Sequence, residues 1–436
     1  MSKSIHFFNL RKNPIVNSIG IYTFSNFFAK GASFLLFFVF TNPLYILPSE
    51  NGLLSLFSTS MLFLMPFLSM GIIHSTATDF FKLDKEDFRS FFTTGFVMPL
   101  LVMLISFIVL FFSKDFLYRT YGFPAMFVWL IPVITFLTFC NEQLLGLARN
   151  NNETSVFLKA NISKTVLELG LSFLLVVVLS WRWQGRIAGI LIAYIAVGGY
   201  ALYYFIKKGY FFGKIKKKYI IAELVYAVPI IAMQASIFAM TASDKFFLSN
   251  FTNDHNETVG IYSIAGVFAS IINVFHMALI QYVFPKIFLV LASPETDNGS
   301  IRKNFLFYTA AMALATVVII ILIPLLYHYF IHVKYHSALK YIYLLCISNF
   351  LWAVTYYFYS FMLYHKQKKK ILGLSFISIA ISITCNYFFI KGRGDTGAAI
   401  ATVTCYFLVL ILTLFFTKDF WQKFIFYKNL QRHEAL

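Results

Sequence analysis

Apolar runs of twenty or more residues recur along the whole chain, and this feature constrains the fold more than any other. Each run is long enough to cross a hydrocarbon core about 30 Å thick as an α-helix. Apolar residues make up 59% of the sequence and charged residues only 12%, so water cannot be the solvent for most of its surface. Mean hydropathy is +0.74. The sequence therefore predicts an all-α polytopic membrane protein.

Charged and turn-rich breaks divide the chain into about twelve candidate spans. The first six are predicted at residues 15–40, 52–78, 89–112, 123–147, 154–180 and 187–206. The second six are predicted at residues 219–247, 259–284, 304–330, 337–364, 370–390 and 397–417. The first run is too long for the core of a signal peptide, so it is predicted to be the first span. The four cysteines lie in apolar runs and are predicted to be packing residues.

Lys and Arg are distributed unequally between alternate loops. The N-terminus, the loops after even-numbered spans and the C-terminal tail hold 25 of them, whereas the loops after odd-numbered spans hold 8. Because cationic loops are retained on the cytoplasmic side, both termini are predicted to be cytoplasmic. The same asymmetry explains most of the net charge of +18, so no nucleic-acid partner is predicted.

Short similarities between the two halves indicate a 6+6 duplication. After span 1 the chain reads Phe40-Thr41-Asn42 and then Gly52-Leu53-Leu54-Ser55, and after span 7 it reads Phe251-Thr252-Asn253 and then Gly260-Ile261-Tyr262-Ser263. Glycine turns precede span 6 and span 12 in the same way. The predicted organisation is an N-terminal lobe (1–206), a basic linker (207–218), a C-terminal lobe (219–417) and a cytoplasmic tail (418–436).

Two stretches of the C-terminal half carry a family resemblance. The first combines Val228-Pro229-Ile230, Ser243-Asp244-Lys245-Phe246-Phe247-Leu248 and Gly260-Ile261-Tyr262-Ser263-Ile264-Ala265. The second combines Asn386-Tyr387-Phe388-Phe389-Ile390, Gly394 and Gly397-Ala398-Ala399-Ile400-Ala401-Thr402. They resemble the polysaccharide flippases, often called Wzx-type, of the multidrug/oligosaccharidyl-lipid/polysaccharide exporter superfamily. The N-terminal half matches more loosely, at Lys30-Gly31, Gly71 and Arg149. This chain has Lys245 where the pattern usually has Arg, which weakens a bidentate phosphate contact there.

The resemblance implies two six-helix lobes around a central cationic cavity that opens alternately to each side. It implies transport of a polyprenyl-diphosphate-linked glycan, such as an O-antigen (lipopolysaccharide) or capsule repeat unit, across a bacterial cytoplasmic (inner) membrane. Other surface-glycan assembly proteins are candidate partners. No cofactor, metal or enzymatic activity is predicted, and the driving force is left open between membrane potential, an ion gradient and product consumption.

Lys30 is the main candidate for binding an anionic substrate. It lies within about three residues of the middle of span 1, and so cannot easily reach water. Positions 26, 27, 33 and 34 hold no acidic residue that could neutralise it within its own helix. Lys30 is therefore predicted to hold a diphosphate or an acidic sugar, the alternative being an ion pair inside the bundle.

The remaining candidates are charged or polar residues within other spans and glycine or proline turns. Predicted cavity residues, besides Lys30, are Lys164, Glu168, Asp244, Lys245 and Arg149. Residues considered for proton or ion coupling are His276, Asp244 and Glu142. Structural turns are assigned to Pro229, Gly260, Gly394 and Gly397.

These residues also have ordinary structural interpretations. Lys164 and Glu168 are four positions apart and could neutralise each other. Arg149 could cap the end of its helix, with a gate salt bridge to Glu142 as the alternative. His276 could be a satisfied interior histidine.

Two alternative functions remain. One is an ion-coupled multidrug or cation antiporter of the same superfamily, for which unpaired carboxylates within the membrane are expected. The other is a membrane glycan-assembly enzyme, for which paired acidic residues at one face are expected.

Overall fold

The computed structural model describes residues 14–252, 254, 256–292 and 298–424, and among these residues there are helices but no strand. Helices α1 to α8 cover Pro14–Phe40, Pro48–Ser69, Ile72–Asp79, Lys85–Phe112, Lys114–Tyr121, Phe127–Asn150, Thr154–Phe173 and Arg182–Lys207. Helices α9 to α16 cover Lys217–Ala242, Asp244–Phe251, Glu257–Ala269, Ile271–Ala292, Asn298–Phe330, Leu339–Tyr364, Lys368–Phe416 and Lys418–Phe424. The predicted all-α class is confirmed. Residues 1–13, Asn253 of the second repeat segment and residues 425–436 of the predicted tail lie outside the described residues.

Ten helical stretches of the described chain are long and apolar enough to cross a membrane. The last of them, α15, contains predicted spans 11 and 12 and turns at Gly394, where φ is 57° and ψ is −131°. Helix α1 adds a shorter apolar stretch, Phe27–Phe40. Dividing α15 at Gly394 and including α1 reproduces the twelve predicted spans.

Exposed apolar stripes indicate the faces that meet lipid. On α4, Leu101, Ile105, Ile108 and Phe112 are all exposed and follow one helical face. A continuous apolar stripe of this kind is what a lipid-facing helix presents, because acyl chains solvate it without cost. The chain is accordingly a multi-pass membrane protein.

The described chain forms two compact units. Unit 1 comprises the described residues up to Glu50 and the segment Ser60–Ile231, and unit 2 comprises Asn51–Thr59 and the described residues from Ala232 onward. The division therefore falls inside α9, two residues after Pro229. A proline there removes one backbone hydrogen bond from the helix interior.

Unit 1 is organised around an aromatic core contributed by α4, α6 and α8. Phe92, Phe96, Phe139 and Phe205 are buried, and their rings pack mostly in tilted or edge-to-face geometry. This core fixes the position of α6, which carries Glu142, relative to α8, which carries Tyr194 and Arg186.

Within unit 1, α3 packs against the first half of α9. Helix α3 starts after Met70 and Gly71, which both have positive φ. A Cβ at Gly71 would come within 2.9 Å of Cδ1 of Ile230, so glycine permits both the backbone angle and the close approach.

Unit 2 contains the segment Asn51–Thr59 of α2, packed against α11. Ser263 Oγ donates a hydrogen bond of 2.6 Å to Ser55 Oγ. A Cβ at Gly52 would overlap the carbonyl group of Asn256, one turn before Gly260. The contact therefore joins the two segments, 52–55 and 260–263, that were matched as repeat equivalents.

Candidate functional site

Lys30 lies on the exposed side of α1. Phe24, Phe27, Lys30 and Ser33 recur at three-residue intervals and are all exposed. Helix α1 packs against α7, where Asn161 Nδ2 donates a hydrogen bond of 2.9 Å to the buried Ser25 Oγ. Lys30 forms no hydrogen bond or ion pair with any described residue. A cation in this setting is available to an anionic ligand.

Lys164 does not form the ion pair with Glu168 that the four-residue spacing suggested. Its Nζ lies 4.6 Å from the centre of the Tyr194 ring, and both Glu168 and Glu142 are within electrostatic reach. Glu168 instead forms an ion pair of 2.9 Å with Arg186 of α8. The structure thus brings three predicted residues together in unit 1, with their charges largely balanced inside the protein.

Arg149 lies at the end of α6 and is exposed. Its Nε donates a hydrogen bond of 3.4 Å to the Leu145 carbonyl, and its guanidinium lies 5.9 Å from the Phe157 ring centre. No ion pair joins it to Glu142 in the described chain. This is the arrangement of a helix-end cation.

Asp244 is buried at the start of α10, in unit 2. Tyr262 Oη donates to it at 2.6 Å, and the backbone N–H of Lys245 donates at 2.9 Å. Thr402 Oγ1 lies 3.5 Å away on α15. Lys245 itself is half-buried and makes no side-chain hydrogen bond with a described residue.

A second polar contact joins the same helices. Asn386 Nδ2 donates a hydrogen bond of 3.0 Å to Ser243 Oγ, next to Asp244. Asp244, Tyr262, Asn386 and Thr402 come from the separate stretches on which the family resemblance was recognised. The fold therefore gathers those stretches into one buried polar cluster.

His276 is buried in α12 beside Tyr308. Tyr308 Oη lies 2.6 Å from Nδ1 of the imidazole and donates a hydrogen bond of 3.0 Å to the Ala353 carbonyl. The tautomer decides whether Tyr308 donates to Nδ1 or accepts from it, because the phenol oxygen can do either. Nε2 has no hydrogen-bond partner among the described residues. His276 is thus an interior histidine with a partner at one ring nitrogen.

The four turn residues differ in what they do locally. Gly394 has a positive φ, and a Cβ at Gly397 would overlap the Phe389 carbonyl. The N–H of the buried Gly260 donates to the Asn256 carbonyl at 3.0 Å. Pro229 lies inside α9.

Sequence reasoning missed Glu223 and Ser75. Glu223 of α9 is only 2% exposed, and Ser75 Oγ of α3 lies 2.9 and 3.0 Å from its two carboxylate oxygens. A carboxylate inside the predicted span 219–247 is the signal that could have identified Glu223. No group of three or more His, Cys, Asp or Glu residues suited to a metal occurs in the described ranges.

Comparisons with known proteins agree with this architecture. Residues 15–290 match the model of a family described as polysaccharide biosynthesis protein. No curated protein sequence matches the chain.

Three solved structures show the fold. An inward-facing multidrug resistance MATE family transporter of the MOP superfamily aligns with a TM-score of 0.67 at 14% identity, over 88% of this chain and 94% of its own. The lipid II flippase MurJ, in an inward closed conformation, aligns with a TM-score of 0.71 at 14% identity, over 91% of this chain and 87% of its own. A MOP superfamily transporter from Pyrococcus furiosus aligns with a TM-score of 0.50 at 12% identity, over 96% of this chain and 98% of its own.

Proposed function

Because the chain belongs to the family of polysaccharide biosynthesis proteins, we propose that it is a flippase for a polyprenyl-diphosphate-linked oligosaccharide. The resemblance recognised from the sequence is confirmed for the family, and the solved structures show the fold that it implies. The cargo is the repeat unit of an O-antigen, a capsule or a related surface glycan. It moves by alternating access from the cytoplasmic to the periplasmic leaflet of a bacterial inner membrane, and both termini are cytoplasmic.

Lys30 is the observation that supports this proposal most. It is a cation in the apolar stretch Phe27–Phe40 of α1, it is exposed, and it has no described partner. The diphosphate of a lipid-linked glycan supplies the missing anion through charge-assisted hydrogen bonds. Lys164 and Asp244 already interact within the protein, whereas Arg149 and Lys245 remain secondary candidates for the cargo.

Transport without a protein pathway would carry many sugar hydroxyls through hydrocarbon at a cost of several kcal/mol each. A polar route past Lys30 avoids that cost for the head group, while the polyprenyl tail stays in lipid. Binding the diphosphate near the middle of a span places the charge where the bilayer barrier is highest.

The test is surface-glycan export in cells whose only copy carries Lys30→Gln. We expect export to stop and lipid-linked repeat units to accumulate on the cytoplasmic leaflet. The amount of protein in the membrane should match that of wild type, because no partner of Lys30 is stranded. Lys30→Arg should retain part of the activity, since its charge survives with a different hydrogen-bond geometry.

Lys82→Gln is the matched control. Lys82 is exposed and pairs with Asp79 at 3.5 Å, so its replacement also removes one positive charge. Its export should be normal. Normal export by Lys30→Gln would contradict the proposed role, and loss of the Lys30→Gln protein from the membrane would assign Lys30 to structure instead.

One observation favours the antiporter as a second candidate. Glu223 lies in the candidate span Lys217–Ala242 and Asp244 directly follows that span. Neither carboxyl group forms an ion pair with a described residue. Both are at most 5% exposed, however, so an organic cation cannot reach them without a rearrangement. Lys30, an exposed positive charge on α1, repels such a substrate.

A further inference from the structure

Glu223 is a buried titratable group for which the proposed transport route has no use. It lies on the first half of α9, and its side chain contacts α3 inside unit 1. The contact is one turn along α3 from the place where Gly71 meets Ile230. Glu223 therefore lies in the contact between α3 and α9 that Ser75, Gly71 and Ile230 also form.

The lysines near the start of α9 interact with Asp87 and not with Glu223. Lys216 at the entry to α9 pairs with Asp87 at 2.6 Å, and Lys218 lies 3.8 Å from the same carboxylate. The ionisable groups within electrostatic reach of Glu223 are Asp79 of α3 and Tyr226 of α9. Neither is a cation, so an ionised Glu223 would have no counter-charge among the described residues.

Hydrogen-bond counting discriminates between the two protonation states. Ser75 Oγ has a single hydrogen but lies within bonding distance of three acceptors, namely both Glu223 oxygens and the Ile72 carbonyl at 3.2 Å. If Glu223 were ionised, it would receive at most that one hydrogen. If Glu223 is protonated, its O–H donates to Ser75 Oγ and Ser75 donates to Ile72. Only the protonated form makes hydrogen bonds of both the Ser75–Glu223 contact and the Ser75–Ile72 contact.

We propose that Glu223 is a proton-binding site that holds α3 and α9 together when it is protonated and releases its proton when they part. Separation would admit water to the carboxyl, and water stabilises the carboxylate. Asp79, the nearest acid, brings a like charge to this contact rather than a counter-charge. A bound proton, rather than a Lys or Arg side chain, therefore neutralises Glu223.

Infrared spectra of the purified full-length protein test the protonation directly. A protonated carboxyl has a C=O stretch distinct from that of a carboxylate, and we expect this band to persist in wild type at neutral pH. Glu223→Gln should remove it, and Ser75→Ala should shift it because the acceptor of the O–H is lost. Asp87→Asn, which removes an ion-paired carboxylate, should leave it unchanged. A band of undiminished intensity in Glu223→Gln, or no band in wild type, would overturn the assignment.

The link to transport rests on the proposed function and needs a separate readout. In vesicles of purified protein, a pH gradient should change the rate at which wild type flips a diphosphate-linked glycan. Glu223→Gln should flip at a rate that ignores the gradient. Unchanged gradient dependence in Glu223→Gln would contradict the coupling. Absence of any flipping by wild type would contradict the proposed function, and the infrared result would still decide the protonation of Glu223.

Discussion

Arg186 and Lys30 carry the same charge but differ in what their removal leaves behind. Arg186 forms the 2.9 Å ion pair with Glu168 and also donates a hydrogen bond of 2.8 Å to Ser172 Oγ. Replacing Arg186 by Gln strands Glu168 in a half-buried site. We expect the free energy of unfolding to fall by about 2 kcal/mol, measured by thermal unfolding of the solubilised protein.

The double variant Arg186→Gln with Glu168→Gln provides the control for that expectation. It removes both charges, so no buried charge is left unpaired, and part of the lost stability should return. A double variant no more stable than Arg186→Gln alone would show that the ion pair is not what stabilises this contact.

At the residue scale, the sequence could show which charges occur within apolar runs but not which partners they meet. The four-residue spacing directed Glu168 towards Lys164, yet Arg186 of α8 is its partner because helix packing brings α7 and α8 together. Glu223 was overlooked for the same reason. Its contact, Ser75, is 148 positions away, and helical periodicity carries no information at that distance.

At the element scale, the turn inside α15 can be tested by comparing the stability of alanine variants at Gly392, Gly394 and Gly397. Gly394→Ala forces a side chain into a positive-φ conformation, and we expect a loss of about 1–3 kcal/mol in stability. Gly397→Ala places a Cβ on the Phe389 carbonyl and should cost about 1–3 kcal/mol. Thermal unfolding of each purified variant measures both effects.

Gly392→Ala is the control in the same helix. A Cβ at Gly392 meets nothing within 4 Å, and alanine favours helix more than glycine by about 1 kcal/mol. This variant should be as stable as wild type or slightly more stable. Equal losses at all three positions would contradict a local role for Gly394 and Gly397.

The spans were predictable because their apolar length is set by the bilayer, but helix ends were less so. Span 3 was predicted from residue 89, whereas α4 begins at Lys85, capped by Asp84, whose side chain accepts from the Asp87 N–H at 2.7 Å. Hydropathy reports the part of a helix in lipid, and a polar cap extends the helix beyond it. The breaks at Gly71 and Gly394 carried a glycine signal. The break at Ser243 carried none.

At the scale of the whole molecule, the family and the membrane-spanning fold follow from patterns that extend over the entire chain. The orientation, with 25 Lys and Arg residues on one set of loops and 8 on the other, stays a prediction. The cargo was the least predictable feature, because a head group is recognised by a few side chains from distant helices. In the proposed function, Lys30 supplies the chemistry for an anion but does not identify the glycan.

Direct transport in vesicles tests the central claim most closely. Purified protein would be reconstituted with a polyprenyl-diphosphate-linked oligosaccharide in both leaflets, and a membrane-impermeant reagent outside would modify the glycans that it can reach. Wild type should render nearly all of the glycan accessible over time, while vesicles with Lys30→Gln should expose only the outer-leaflet fraction. The account would be contradicted if wild-type vesicles behaved like protein-free ones, if they moved an organic cation instead, or if the lipid-linked glycan were chemically altered rather than moved.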